Sequence, residues 1–163
     1  MNDLSRSAEH AVAHSARLAL YARQWLNAAD AQDVVQDALV ALLSCRRAPD
    51  DAIAWMYAAV RNRAIDAARS RARRRRRDER TGRQRTEWFQ ADAAAALDAQ
   101  AAQKALEQLP RELREIVVLR IWGELGFVQI ARSAQVGVGT AYQRFSEAMR
   151  QLRAVMEKSR TLK

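Results

Sequence analysis

Glycine and proline together fill only seven of the 163 positions, five Gly and two Pro, and no other property of the sequence limits the fold so strongly. Sheet-rich folds reverse often and draw on these residues for their turns, whereas helices exclude them from their interiors. Pro49, Gly82, Pro110, Gly123 and Gly137 fall between apolar-periodic stretches rather than inside them. The expected fold class is therefore all-α. A hydrophobic fraction of 49% is enough for a core, but 34 residues are Ala, each of which buries little surface. A chain of this length holds one ordinary domain or two very small ones.

Charge divides the chain into blocks. Residues 1–68 carry 7 Arg and 8 acidic residues, residues 69–86 carry 10 Arg and 2 acidic residues, residues 87–104 have net charge −2 and residues 105–163 have net charge +4. A near-neutral module, a basic stretch, an acidic spacer and a mildly basic module thus follow one another. The expectation is two small helical domains, residues 1–80 and 97–163, joined by a flexible linker at 81–96. Thr81-Gly82 follows the Arg run, and Ala93 to Ala96 offers no amphipathic face. The Trp88-Phe89 pair inside this linker either packs on one of the modules or docks on a neighbouring surface.

Periodicity sets the helices within each module. A helix from about Ala8 to Leu26 is expected to bury Val12, Ala19, Ala22, Trp25 and Leu26. Asp30 reads as the N-cap of the next, which runs to about Leu43 with Val34, Val35, Ala38, Leu39, Leu42 and Leu43 as its apolar stripe. Asp33, Gln36, Asp37 and Val40 face the other way. After Pro49-Asp50-Asp51 a long helix runs from about Ala52 into the Arg cluster, with Ile53, Met56, Val60 and Ala64 inward. The second module is expected to open with a helix from Leu97 to Leu109. Another starts at Pro110, buries Leu113, Ile116, Val117 and Ile121, and stops near Gly123. A short helix from Phe127 to Ala134, the turn Gln135-Val136-Gly137 and a long helix from Val138 complete it.

The formal net charge of +9 favours polyanion partners. Of the 28 basic residues 25 are Arg, which suits bidentate phosphate and base contacts, although a GC-rich coding sequence produces the same bias. No window approaches the ~18 apolar residues of a membrane span, no export signal opens the chain, and the lone Cys45 forms no internal disulfide. A cytoplasmic protein that does not enter a membrane is expected. Neither a Gly-rich phosphate loop nor a nucleophile with its base is present. No cofactor, no metal and no enzymatic activity are therefore expected.

Two constellations suit nucleic acid. The short helix, three-residue turn and long helix have helix-turn-helix spacing, with an ordinary helical hairpin as the alternative. Gly139, Thr140, Tyr142, Gln143, Arg144 and Ser146 would then present base- and phosphate-contacting groups from the start of a recognition helix. On the long helix of the first module, Trp55, Asn62, Asp66, Arg69 and Arg73 fall within about 60° of one another at about 100° per residue. A ring to stack on unpaired bases, an amide for base edges and guanidinium groups for phosphates share that stripe, unless Trp55 is core and the rest a solvated face. Two weaker clusters stand beside these. Asp30, Asp33 and Asp37 could hold Mg²⁺ or form a solvated or partner-binding face, and His10 and His14 lie at zinc-compatible spacing without a third ligand.

The order of these motifs resembles that of the bacterial sigma-70 family, specifically the small two-domain group of extracytoplasmic-function sigma factors. The stretch Asp30 to Leu39 (DAQDVVQDAL) resembles region 2.2, and Ala54 to Asp66 (AWMYAAVRNRAID) resembles regions 2.3 and 2.4. Leu109 to Arg120 (LPRELREIVVLR) resembles the start of region 4, and Val138 to Phe145 (VGTAYQRF) its recognition helix. The resemblance implies that Asp33, Gln36, Asp37 and Val40 meet the clamp helices of the polymerase beta-prime subunit. It implies that Asn62 helps to capture a flipped base of the −10 element, with Trp55, Arg61, Asp66, Arg69 and Arg73 around it. Gly139, Thr140, Tyr142, Gln143, Arg144 and Ser146 would read the −35 element. The implied partners are core RNA polymerase, including its beta flap, promoter DNA and an anti-sigma factor.

The sequence departs from the family pattern in four places. The loop between Leu43 and Trp55 is a few residues shorter and lacks the common Phe, and Ala134-Gln135 replaces Leu-Gly in the turn. Gly137 stands where a capping Ser is common, and Tyr142 replaces a basic residue. Two other readings compete with the resemblance. One is a stand-alone helix-turn-helix regulator whose first module dimerises or senses, and the other is a Mg²⁺-dependent nuclease built on Asp30, Asp33 and Asp37.

Overall fold

The computed structural model describes residues 3–77 and 103–161. The chain divides into two compact units, Met1–Trp88 and Phe89–Lys163. All regular structure among the described residues is helical. The expected linker at 81–96, its Trp88-Phe89 pair and the expected helix start at Leu97 lie outside the described residues.

Unit 1 contains α1 (Asp3–Ala13), α2 (Ser15–Ala22), α3 (Ala28–Leu43) and α4 (Ala52–Arg77). The single helix expected from Ala8 to Leu26 is two helices, with the break at His14 (φ −91°, ψ 0°). Across the break the buried residues keep one helical face: Ala11, Leu18, Tyr21 and Ala22 lie within about 100° of arc, and Val12, expected inward, falls about 80° outside it and is 58% exposed. Trp25 lies beyond the end of α2, half-buried, its ring edge-on to Tyr21 at 5.2 Å.

α3 is capped by Asn27, not by Asp30. The Asn27 side-chain oxygen accepts a 2.9 Å hydrogen bond from the Asp30 N–H, which moves Asp30 into the first turn, where its charge also suits the helix dipole. From there its carboxylate pairs with Arg71 of α4. Val34, Val35, Ala38 and Leu42 are buried as the stripe requires, but Leu43, the last residue of the helix, is 58% exposed. α3 packs against α2 and α4. The Asp51 carboxylate accepts from the Ala54 N–H at 2.9 Å and starts α4, which buries Ala54, Met56, Tyr57, Val60 and Ala64. Ile53 is only half-buried. Tyr57 takes a core position, edge-on to Tyr21 at 5.3 Å. Past Ala64 the helix continues into Arg74 to Arg77, where cations favour its C-terminal carbonyls.

Unit 2 has a helical stretch at 103–108, then α5 (Arg111–Ile121), α6 (Phe127–Ala134) and α7 (Val138–Thr161). Pro110 is the N-cap of α5, and Ile116, Val117, Val118 and Leu119 are buried in succession. Four buried neighbours in a row show that α5 is covered on more than one side. Ile121, expected inward, is its last residue and is 47% exposed. Arg114 donates to the backbone carbonyls of Glu107 and Leu109 at 3.4 and 3.1 Å, tying the preceding stretch to α5. Burial lowers the pKa of its guanidinium, as does nearby Arg111, with Glu107 opposing.

The three-residue turn between α6 and α7 is present. Gln135 ends α6 in the left-handed region (φ 58°, ψ 46°), and the Val136 N–H donates to the Ala131 carbonyl at 3.0 Å. α7 begins from Gly137, whose carbonyl accepts from the Ala141 N–H at 2.9 Å. At the other end of α6, the Gly126 N–H donates to Gln129 Oε1 at 3.1 Å. α7 lies against both α5 and α6, with Ala141 and Ala148 buried between them.

Candidate nucleic-acid interface

In unit 1, the buried residues of α4 leave its opposite face free for the stripe expected from the sequence. Asn62, Asp66, Arg69 and Arg73 are exposed along it, and Trp55 is half-buried at its start. At a rise of about 1.5 Å per residue, Trp55 lies roughly 10 Å from Asn62, and Asn62 roughly 16 Å from Arg73. Arg61, half-buried, sits about 100° round the helix from Asn62 and borders the stripe instead of lying on it. Trp55 is partly packed, and the amide and both guanidinium groups are exposed, an arrangement that the two alternatives for this face share.

A second polar face lies on α3. Asp33, Gln36, Asp37 and Val40 are all exposed within about 100° of arc, with Val40 63% exposed among the carboxylates. Asp30, paired with Arg71, is not free to join Asp33 and Asp37 around a cation. Among the described residues no three His, Cys, Asp or Glu side chains form a group able to hold a metal ion. His10 is exposed on α1, and His14 is half-buried at the α1–α2 break. Cys45 is half-buried and its thiol contacts the Ala41 carbonyl at 3.4 Å.

In unit 2, the first turns of α7 bring four of the six expected residues together. Gly139, Tyr142, Gln143 and Ser146 are exposed within about 100° of arc, while Thr140, exposed, and Arg144, half-buried, lie on one flank. Nothing stands within 4 Å of where a Cβ on Gly139 would be, so its backbone is open to close approach. The Tyr142 ring, with the residue 59% exposed, rests edge-on against Phe127 at 5.3 Å.

Two groups of residues emerge that sequence reasoning did not single out. Arg6, Arg46 and Arg47 line a polar cleft of ≈ 500 Å³ between α1 and the loop after α3. The Arg46-Arg47 pair, placed between the α3 stripe and Pro49, was the available signal. In unit 2, Arg120 and Phe127 share a cleft of ≈ 610 Å³ with Tyr142 and Phe145. No local pattern announces that cluster, because it draws on three helices.

No helix of the structure is long and apolar enough to cross a membrane. A comparison with curated proteins found no match. Among solved structures, the chain is similar to the sigma factor RpoE from Bartonella quintana, solved in complex with the anti-sigma factor NepR. The TM-score is 0.73 at 21% identity, over 91% of this chain and 95% of that one, which establishes the shared fold. Residues 11–74 match the family model for Sigma-70 region 2, and residues 99–152 match that for Sigma-70, region 4. The region 2 match removes the alternative in which the first module is a generic dimerisation or sensor domain. With the two models in order and between them covering most of the sequence, the chain belongs to the sigma-70 family of RNA polymerase sigma factors, in the two-domain layout of its extracytoplasmic-function group.

Proposed function

We propose a division of labour in which α3 binds core polymerase, α4 captures the opened −10 strand and α7 reads the −35 duplex. The observation that carries it is the α4 stripe. An aromatic ring, an amide and two guanidinium groups lie opposite a fully buried face, so packing alone does not account for them. Asn62 would hydrogen-bond a flipped base, Trp55 would stack beside it, and Arg61, Asp66, Arg69 and Arg73 would frame the pocket and hold the strand's phosphates. Arg6, Arg46 and Arg47 add three guanidinium groups in the same unit, suited to that backbone.

On α3, Asp33, Gln36, Asp37 and Val40 would meet the beta-prime clamp helices, where an exposed apolar residue among acids fits a basic partner surface with an apolar centre. On α7, Tyr142, Gln143 and Ser146 would read base edges while Gly139 lets the backbone approach phosphate and Thr140 and Arg144 contact the flank. Unit 2 would also meet the beta flap. The domain limits of this reading are 1–80 and 97–163, with 81–96 as the connection, and the division between the two compact units, at Trp88 and Phe89, falls inside that connection. An anti-sigma factor, such as the one bound to the Bartonella neighbour, would act by covering these same faces. The protein performs no covalent step and works in the cytoplasm, where its polymerase is. Joining two weak DNA contacts through one polymerase makes them act as a single strong one.

The test is co-elution with sigma-free bacterial core polymerase followed by transcription from a randomised promoter library. Stoichiometric binding and new start sites are expected, and failure to bind core from the protein's own source would overturn the assignment. In the same system Asn62→Ala should keep core binding and lose promoter opening, read as permanganate reactivity at −10. Gln143→Ala should relax one −35 position by about 5- to 160-fold, the equivalent of roughly 1–3 kcal/mol.

A further inference from the structure

We propose that Arg120 and Phe127 are positioning residues that fix the ring of Tyr142 for reading one base pair of the −35 element. The inference rests on α7 being the −35 recognition helix and adds residues outside that helix to the specificity apparatus. Tyr142 is the one aromatic residue on the recognition face, and an exposed tyrosine on a helix ordinarily has two χ1 wells open to it. Here its ring meets Phe127 at 5.3 Å between centroids with an interplanar angle of 66°, an edge-to-face contact that selects one orientation.

Phe127 is itself fixed from two further sides. The Phe145 ring stands edge-on at 5.7 Å, and the Arg120 guanidinium lies over the Phe127 ring at 5.4 Å from its centroid. The guanidinium is held by a 2.9 Å hydrogen bond from Arg120 Nη1 to the Leu125 carbonyl. The chain of contacts therefore starts at the end of α5, passes through the α5–α6 turn and the first residue of α6, and ends on the DNA-facing side of α7. Arg120 thus contacts both that turn and that ring, which lets it act on Tyr142 through Phe127.

A fixed tyrosine presents two features at once. Its ring flank suits the C5-methyl of thymine, and its hydroxyl can donate to or accept from an adjacent base edge. A ring free to turn would offer either feature in many positions and discriminate little. Thymine at one −35 position is the expected preference.

The experiment uses the assembled holoenzyme and a promoter library randomised across the −35 element. Phe127→Leu keeps an apolar side chain and removes the ring. It should flatten the preference at one position by about two- to ten-fold, the same position that Tyr142→Ala flattens. Arg120→Gln should act at that position in the same direction, and serves as the second variant if Phe127→Leu fails to fold. Phe127→Tyr should retain the preference. In the Tyr142→Ala background, Phe127→Leu should change nothing further. A uniform loss across all positions, or an added loss in that background, would reduce Phe127 to ordinary packing and overturn the proposal. If Gln143→Ala shifts the library and Tyr142→Ala does not, the recognition helix stands and the positioning role falls. If both are silent, the −35 assignment of α7 falls and the positioning role with it.

Discussion

At the scale of single residues, the helix-turn-helix is closed by a residue poorly suited to its conformation. Gln135 adopts φ 58°, and Glu124 in the turn before α6 adopts φ 56°, while no described glycine has positive φ. A left-handed conformation costs a residue with a Cβ about 1–2 kcal/mol, a cost that glycine escapes. Gln135→Gly should therefore stabilise unit 2 by about 1 kcal/mol and raise its melting temperature by roughly 4–8 °C. Thermal unfolding of the full chain measures this, and an unchanged or lower midpoint would show that the Gln135 side chain compensates for its backbone. The unusual Ala134-Gln135 turn was visible in the sequence. The choice of cap for α3 was not, because Asn27 and Asp30 are equally good caps locally and only the packing phase of the helix decides between them.

At the scale of elements, legibility followed periodicity. The α3 stripe and its polar reverse face could be read directly, because a 3.6-residue period assigns inside and outside along one helix. The break at His14 could not, since the stretch around it has no Gly or Pro and its Ala-rich pattern fits a continuous helix as well as two short ones. The Arg120–Phe127–Tyr142 cluster was equally illegible, because three residues in separate elements meet only after folding. For α3 the prediction is direct. Asp37 is exposed and takes no part in the buried stripe, so Asp37→Arg should leave the stability, read from thermal unfolding, within about 0.5 kcal/mol of the parent's. It should weaken core polymerase association by roughly tenfold or more through charge reversal at the interface. Competition against the unaltered protein for limiting core measures the second effect, and equal occupancy would move the polymerase-binding surface off this face.

At the scale of the whole molecule, the alternation of charge along the sequence marked two modules, and the structure contains two compact units. The described part of the basic block, residues 69–77, forms the end of α4, where Arg73 to Arg77 are exposed. Charges of this kind act on DNA mainly by releasing counterions, which sets salt dependence and not sequence preference. Replacing Arg73, Arg75 and Arg76 by Ala should lower the slope of log affinity against log salt by about 0.7 for each single-strand phosphate that is no longer neutralised. The sequence preference of the holoenzyme should stay the same, and a preference that shifted with the slope would give these arginines a part in base reading.

α4 also sets a relation that no single substitution can alter. It is one uninterrupted helix of 26 residues, roughly 39 Å long, with its packed half at one end and its basic half at the other. The direction in which the arginines point, relative to Trp55 and Asn62, is fixed by the number of residues between them. Inserting one residue after Asp66 would swing the basic half by about 100°, whereas inserting four would return it to within about 40° of its original heading. Along this helix length is an angle, and the relative heading of its two ends is set by counting.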